Sequence, residues 1–246
     1  MNYRILTVAA VMIFSFAFTS TEKLNTSNSN ITASEIPVKP APLSFKEEVK
    51  NLYGDFKAAN SSMPALSVFE QAMKGYAKLD KAGRVANRLL TVIDFDMSSS
   101  KKRMWIMDME DKKVLFNTFV SHGKNTGVEF ANKFSNQVNS HQSSLGFYVT
   151  GETYYGKNGL SLFIDGMEKG FNSNARKRYV VIHGADYATK NFINRYGRLG
   201  RSYGCPAVPN GIAKDLINRI KGKSVVFIHK SDKKYQNKSS YLNYEA

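Results

Sequence analysis

The chain has 246 residues, 42% of them hydrophobic, which allows one domain of ordinary size with a sizeable core plus appendages and excludes a low-complexity chain. Its 35 Lys and Arg stand against 20 Asp and Glu, a formal net charge of +15 that favours anionic partners but specifies neither fold nor reaction. A single cysteine, Cys205, excludes an internal disulfide.

In chain order, Met1 to Arg4 carries a positive charge, and Ile5 to Phe18 is an apolar-to-small run ending in Ala17-Phe18-Thr19-Ser20. This pattern predicts a signal peptide over residues 1–20, because the run is short of the ~20 apolar residues a membrane span needs. An uncleaved anchor is the alternative, and the lack of a nearby cysteine argues against a lipid anchor on Cys. The expected location is therefore exported, in the periplasm or cell envelope. Membrane contact is expected only through the signal or anchor, and export argues against nucleic acid as the anionic partner. Residues 21–43 are rich in Ser, Asn, Thr and Pro and read as a flexible tether.

Residues 44–87 read as a small helical unit. Ser44-x-x-Glu47 is a capping box, followed by Val49, Leu52, Tyr53 and Phe56 at helical spacing. A second stripe, Phe69, Ala72, Met73, Tyr76 and Leu79, has Ser67-x-x-Glu70 as its expected cap. From residue 88 to 230 the pattern turns to strands: Leu90–Met97, Arg103–Met109, Val114–Val120, Ser144–Val149, Leu160–Ile164, Tyr179–Ile182 and Ser224–Ile228. Glu110 to Lys113 reads as a hairpin turn, and Ile212 to Ile220 has helical spacing. Residues 231–246 read as a polar, frayed tail. The class is α+β: a small helical unit, then one β-rich domain.

The chemistry concentrates in two short stretches. Val180-Val181-Ile182 is an apolar strand predicted to end on His183, with Gly184 letting the chain turn. Downstream stands Arg201-Ser202-Tyr203-Gly204-Cys205-Pro206-Ala207-Val208. A lone thiol with an upstream histidine is a candidate nucleophile and base. Gly204 and Pro206 frame a tight turn that would aim the N–H groups of Tyr203, Gly204 and Cys205 at one point, as an oxyanion requires. The plain alternative is a buried, inert cysteine packing as a small hydrophobe. A metal site built from His122, His141, His183 and Cys205 lacks the short ligand spacing of structural zinc sites.

Ile182-His183-Gly184 followed by Ser202-Tyr203-Gly204-Cys205 resembles the signature of the L,D-transpeptidases, the YkuD-type catalytic domain. With Arg201 and Cys205-Pro206-Ala207-Val208, and with Ser143-Ser144-Leu145-Gly146-Phe147-Tyr148 upstream, it is most similar to the murein L,D-transpeptidase branch. The resemblance spans about Leu89 to His229 and implies a β-rich fold of mixed, sandwich-like sheets. It implies Cys205 as nucleophile, His183 as its base, and the Gly184 carbonyl as the group that orients the other ring nitrogen. Tyr203 stands where the family often has His, and the segment from His183 to Cys205 is longer than the family's.

The implied reaction is acyl transfer on peptidoglycan stem peptides through a Cys thioester, giving third-to-third cross-links, with no metal or cofactor. The same site accepting water would make the chain an L,D-carboxypeptidase. A third reading is a non-catalytic, basic murein-binding envelope protein. Arg198 and Arg201 are candidates for gripping a stem carboxylate. Ser202 is a candidate support of the turn, Tyr187 a candidate lining of the mouth, and His122 a weaker candidate for the pocket.

Overall fold

The computed structural model describes residues 43–59 and 62–244. The expected signal peptide and the tether, but for Leu43, lie outside them. Among the described residues no helix is long and apolar enough to cross a membrane.

The capping box forms as the sequence predicts. The Ser44 amide donates to Glu47 Oε2 at 2.9 Å and the Glu47 amide to Ser44 Oγ at 3.4 Å, starting helix α1 at Phe45–Ala59. Helix α2, Leu66–Lys81, departs from the expectation: Ala65 is its N-cap, no side chain caps it, and Ser67 lies inside the first turn. Its first acceptor is instead the Ala65 carbonyl, which takes the amides of Val68 and Phe69. Both helices bury their apolar stripes in the same core as the strands. Gly75 permits close approach, since a Cβ there would lie 2.1 Å from the Phe147 ring.

Eight strands form one mixed sheet: β1 Leu89–Asp94, β2 Met104–Asp108, β3 Lys113–Thr118, β4 Gly146–Gly156, β5 Gly159–Gly166, β6 Val181–Ala185, β7 Ala207–Pro209 and β8 Val225–His229. Their order is β3-β2-β1-β8-β4-β5-β6-β7. The β1–β8 and β6–β7 pairs are parallel and the others antiparallel. The centre of the sheet reads as continuous apolar sequence because both faces are covered, and every residue of β1 and β8 is buried. Helix α3, Lys190–Tyr196, sits in the segment before Cys205, and α4, Asn210–Ile220, packs Ala213, Leu216, Ile217 and Ile220 inward.

The C-terminal segment corrects the expectation of a frayed tail. Asp232 caps helix α5, Lys233–Lys238, and Tyr235 is fully buried. Its hydroxyl donates to Glu168 Oε2 at 2.8 Å, Ser239 Oγ bonds the other carboxylate oxygen, and Leu242 is 6% exposed. Glu168 also accepts the Phe147 amide at 2.8 Å, so the segment is tied to β4 through one buried carboxylate.

Candidate active site

Tyr179 adopts a left-handed backbone, φ 53°, which delays the start of β6 to Val181. His183 is therefore the central residue of the strand and not its end as the sequence suggested. It pairs with Ser161 of β5 on one side and Ala207 of β7 on the other. The ring is buried, and its Nδ1 lies 2.8 Å from the Gly184 carbonyl oxygen. A carbonyl can only accept, so Nδ1 carries the proton and Nε2 keeps its lone pair. Burial holds the imidazole below its ordinary range, with the Gly184 bond pulling the other way. At neutral pH this is an uncharged base.

The cysteine loop is pinned by its neighbours. Ser202 bridges Gly123 and Ser121 bridges Ala207, with the Ser202 amide 3.0 Å from the His122 carbonyl. Ser202 Oγ donates to the Cys205 carbonyl at 2.6 Å and accepts the Gly204 amide at 3.0 Å. The Gly204 carbonyl in turn accepts from Ser143 Oγ at 3.1 Å. Gly204 has φ 127°, and a Cβ there would meet the Gln142 carbonyl at 2.8 Å, so glycine is required twice over.

Cys205 Sγ donates to the Tyr179 carbonyl at 3.4 Å and accepts the Val181 amide at 3.5 Å. Burial pushes the thiol up, against the Val181 amide and the Arg178 charge. The thiol thus rests protonated beside Val181, two residues or about 7 Å along the strand from His183. Next to Tyr179, on whose carbonyl the thiol rests, lies a cleft of about 380 Å³ lined by His141, Lys177, Arg178, Tyr179 and Tyr203 among others. The Gly204 N–H is taken by Ser202, which corrects the expectation that three amides converge. The Tyr203 and Cys205 amides make no hydrogen bond to any described residue.

The sequence model of the L,D-transpeptidase catalytic domain matches residues 60–229. The chain belongs to this family. The match takes in α2 as well as the sheet. No match is found among curated proteins. Among solved structures, an L,D-transpeptidase from Mycobacterium smegmatis is similar at 13% identity, over 58% of this chain and 59% of that one, with a TM-score of 0.37. One from Mycobacterium tuberculosis H37Rv is 12% identical over 58% of each chain, with a TM-score of 0.34. One from Stackebrandtia nassauensis is 12% identical over 79% of this chain and 97% of that one, with a TM-score of 0.35. The chain spans about three fifths of the length of the mycobacterial structures.

Within this L,D-transpeptidase domain the other expected site residues divide. Tyr187 is half-buried, and its phenol is pushed up to about 12, first by burial and then by Cys205 once that thiol is ionised. Tyr203 is 65% exposed, with His141 at 4.5 Å between ring centroids and Lys124 Nζ 4.5 Å from its own. Arg201 donates to the Lys124 and Gly127 carbonyls, both at 3.1 Å, and borders a second cleft of about 580 Å³. Arg198 donates to the carbonyl of Leu199 at 2.7 Å.

His122 does not line the cleft. It is 1% exposed, with Nδ1 accepting from Arg103 Nη2 at 2.8 Å and Nε2 facing the Gly127 carbonyl at 3.3 Å. Nor do the four residues of the metal reading assemble. Among the described residues the one metal-competent group is Asp94, Asp96 and His229, whose Asp96 already bonds Lys230 and Ser231.

Sequence reasoning missed Arg178, Tyr179 and Ser143. Nothing in Arg176-Lys177-Arg178 separates a site cation from its neighbours. Only the fold turns Arg176 to Asp165 and Glu152, and Arg178 toward the cysteine loop.

Proposed function

We propose that the chain is a cysteine-dependent acyltransferase acting on peptidoglycan stem peptides outside the cytoplasm. The observation that carries the reading is the commitment of His183 Nδ1 to the Gly184 carbonyl, which leaves Nε2 as a base two strand residues from the Cys205 thiol. In the reaction the thiol leaves its rest beside Tyr179 and gives its proton to Nε2. The thiolate attacks the carbonyl carbon of the third stem residue. The uncommitted amides of Tyr203 and Cys205 are the donors nearest the resulting oxyanion. The bond to the fourth residue breaks, and its amine leaves with the proton from the imidazolium. An amine of a neighbouring stem then attacks the thioester, gives a proton back through His183, and releases Cys205 as the third-to-third link forms.

Ser202 acts through the loop and not on the substrate, because its hydroxyl is spent on Gly204 and Cys205. Tyr187 and Tyr203 flank the thiol, and Arg201 serves the outer cleft. The test is incubation with tetrapeptide muropeptides and mass spectrometry of the products. Cross-linked dimers with loss of the fourth residue are expected. Tripeptides alone would make water the acceptor, and unchanged substrate would leave a murein-binding protein. Loss of all product in Cys205→Ala, with the fold retained, is part of the same expectation.

A further inference from the structure

Arg178 is half-buried in the wall of the cleft that Tyr179 also lines. Its guanidinium donates to the Ser135 carbonyl at 2.7 Å, the Gln142 carbonyl at 2.5 Å, Ser140 Oγ at 3.2 Å and Ser144 Oγ. All four acceptors are neutral. Among the described residues no carboxylate pairs with it, whereas Arg176, two residues earlier, is paired to both Asp165 and Glu152. A partly desolvated cation without a counter-charge is costly, and an anion beside it offsets that cost.

Its position says which anion. A Cβ on Gly204 would lie 3.3 Å from Arg178 Nη2, so the guanidinium packs against the residue before the nucleophile. The Gln142 carbonyl it holds is the same one that crowds Gly204. Tyr179, the next residue, supplies the carbonyl on which the thiol rests. Burial weakens the Arg178 charge, and the groups that would restore it are the ionised forms of Tyr148 and Cys205. Tyr148 is fully buried, and burial pushes its phenol far up, which leaves the thiolate.

We infer that Arg178 is a positioning residue for the nucleophile, a fixed counter-charge that favours the Cys205 thiolate while its hydrogen bonds brace the 135–144 loop against the cysteine turn. The inference rests on Cys205 being the nucleophile. His183 alone is poorly suited to hold the thiolate, because burial disfavours its charged form. A fixed guanidinium needs no proton to do so. An opposite charge within about 4–6 Å moves a titration by 1–3 pH units. Its removal therefore slows a thiolate reaction about tenfold or more at fixed neutral pH.

The test reads the thiol and not the stem peptide. Cys205 is the single cysteine, so iodoacetamide uptake by the full chain reports it alone. Rates from pH 6 to 10 are compared for the parent, Arg178→Gln, Arg178→Lys and Arg176→Gln. The expected result is a profile displaced upward by at least one pH unit in Arg178→Gln, largely restored in Arg178→Lys, and unmoved in Arg176→Gln. Arg178→Met, which keeps the apolar stem, replaces Arg178→Gln should that variant not fold. A profile for Arg178→Gln or Arg178→Met that superimposes on the parent overturns the inference. So does a Lys variant as slow as the Gln variant, since that marks loop bracing alone. A parent whose thiol takes up no iodoacetamide anywhere in that pH range overturns the nucleophile reading itself, and this inference with it.

Discussion

The buried His122 makes the fold acid-sensitive by an amount that can be worked out. Its ring is 1% exposed and faces the Arg103 guanidinium. Burial, then Arg103, with Arg201 and Arg198 behind it, hold the imidazole at about 3, against an ordinary 6.5. The folded state thus binds this proton more weakly than the unfolded chain. The stability His122 contributes is complete above pH 6.5 and is lost as pH falls from there toward 3. At 1.36 kcal/mol per pH unit, the loss between pH 7 and pH 4 is about 3 kcal/mol, a large part of a usual total of ~5–15. His183 and His229 are also held low by burial and add in the same direction, so the measurement must be a difference. Trp105, the single tryptophan and 3% exposed, reports urea unfolding by fluorescence at pH 7, 5.5 and 4. His122→Asn, which keeps a donor and an acceptor but cannot titrate, is expected to lose about 3 kcal/mol less than the parent between pH 7 and pH 4. Equal losses in the two proteins would refute the argument.

Three further outcomes follow from the geometry. Ser202→Ala removes the bonds to Gly204 and Cys205 that shape the turn, and should cost about 2 kcal/mol of stability and more than tenfold in product formation. A urea midpoint and rate equal to the parent's would show the turn to be self-supporting. Gly184→Ala would put a Cβ 2.3 Å from Asn210 Oδ1 and 3.0 Å from Ala213, so α4 or Asn210 must shift. About 1–3 kcal/mol is the expected cost, with a fall in turnover as the His183 acceptor moves. Truncation after Lys230 strips Tyr235 and Ser239 from Glu168, and thermal unfolding should show a loss of at least about 3 kcal/mol. A truncated chain as stable as the full one would restore the frayed-tail reading.

These tests fall where sequence and structure part company, and the divisions have physical causes. Periodicity reports burial, so seven of the eight strands and both helical stripes were legible, whereas β7, three residues long, is too short to show an alternation. The Ser44–Glu47 box was legible because capping is local. Ser67-x-x-Glu70 carries the same letters and caps nothing, since the chain enters that helix through Ala65 and its carbonyl. The C-terminal segment is polar in composition. What orders it is one buried carboxylate, Glu168, supplied from far along the chain, and no local pattern encodes such a partner. Helix α3 did carry local signals in the Thr189 cap and the left-handed Gly197, yet it spans only 7 residues, too short to show a period.

At the site the same rule holds with more consequence. His183, Gly184 and Cys205 stand out in the sequence because a thiol, an imidazole and the glycines around them are rare letters in a recognisable order. Arg178 was not, because a cation's meaning lies in whether an acid stands opposite it. Arg176 and Arg178 are indistinguishable as text. One closes a triangle with Asp165 and Glu152, and the other is left with neutral acceptors next to the single thiol. An unpaired charge is a property of the fold, and at Arg178 it stands against the turn that carries a half-buried, protonated cysteine.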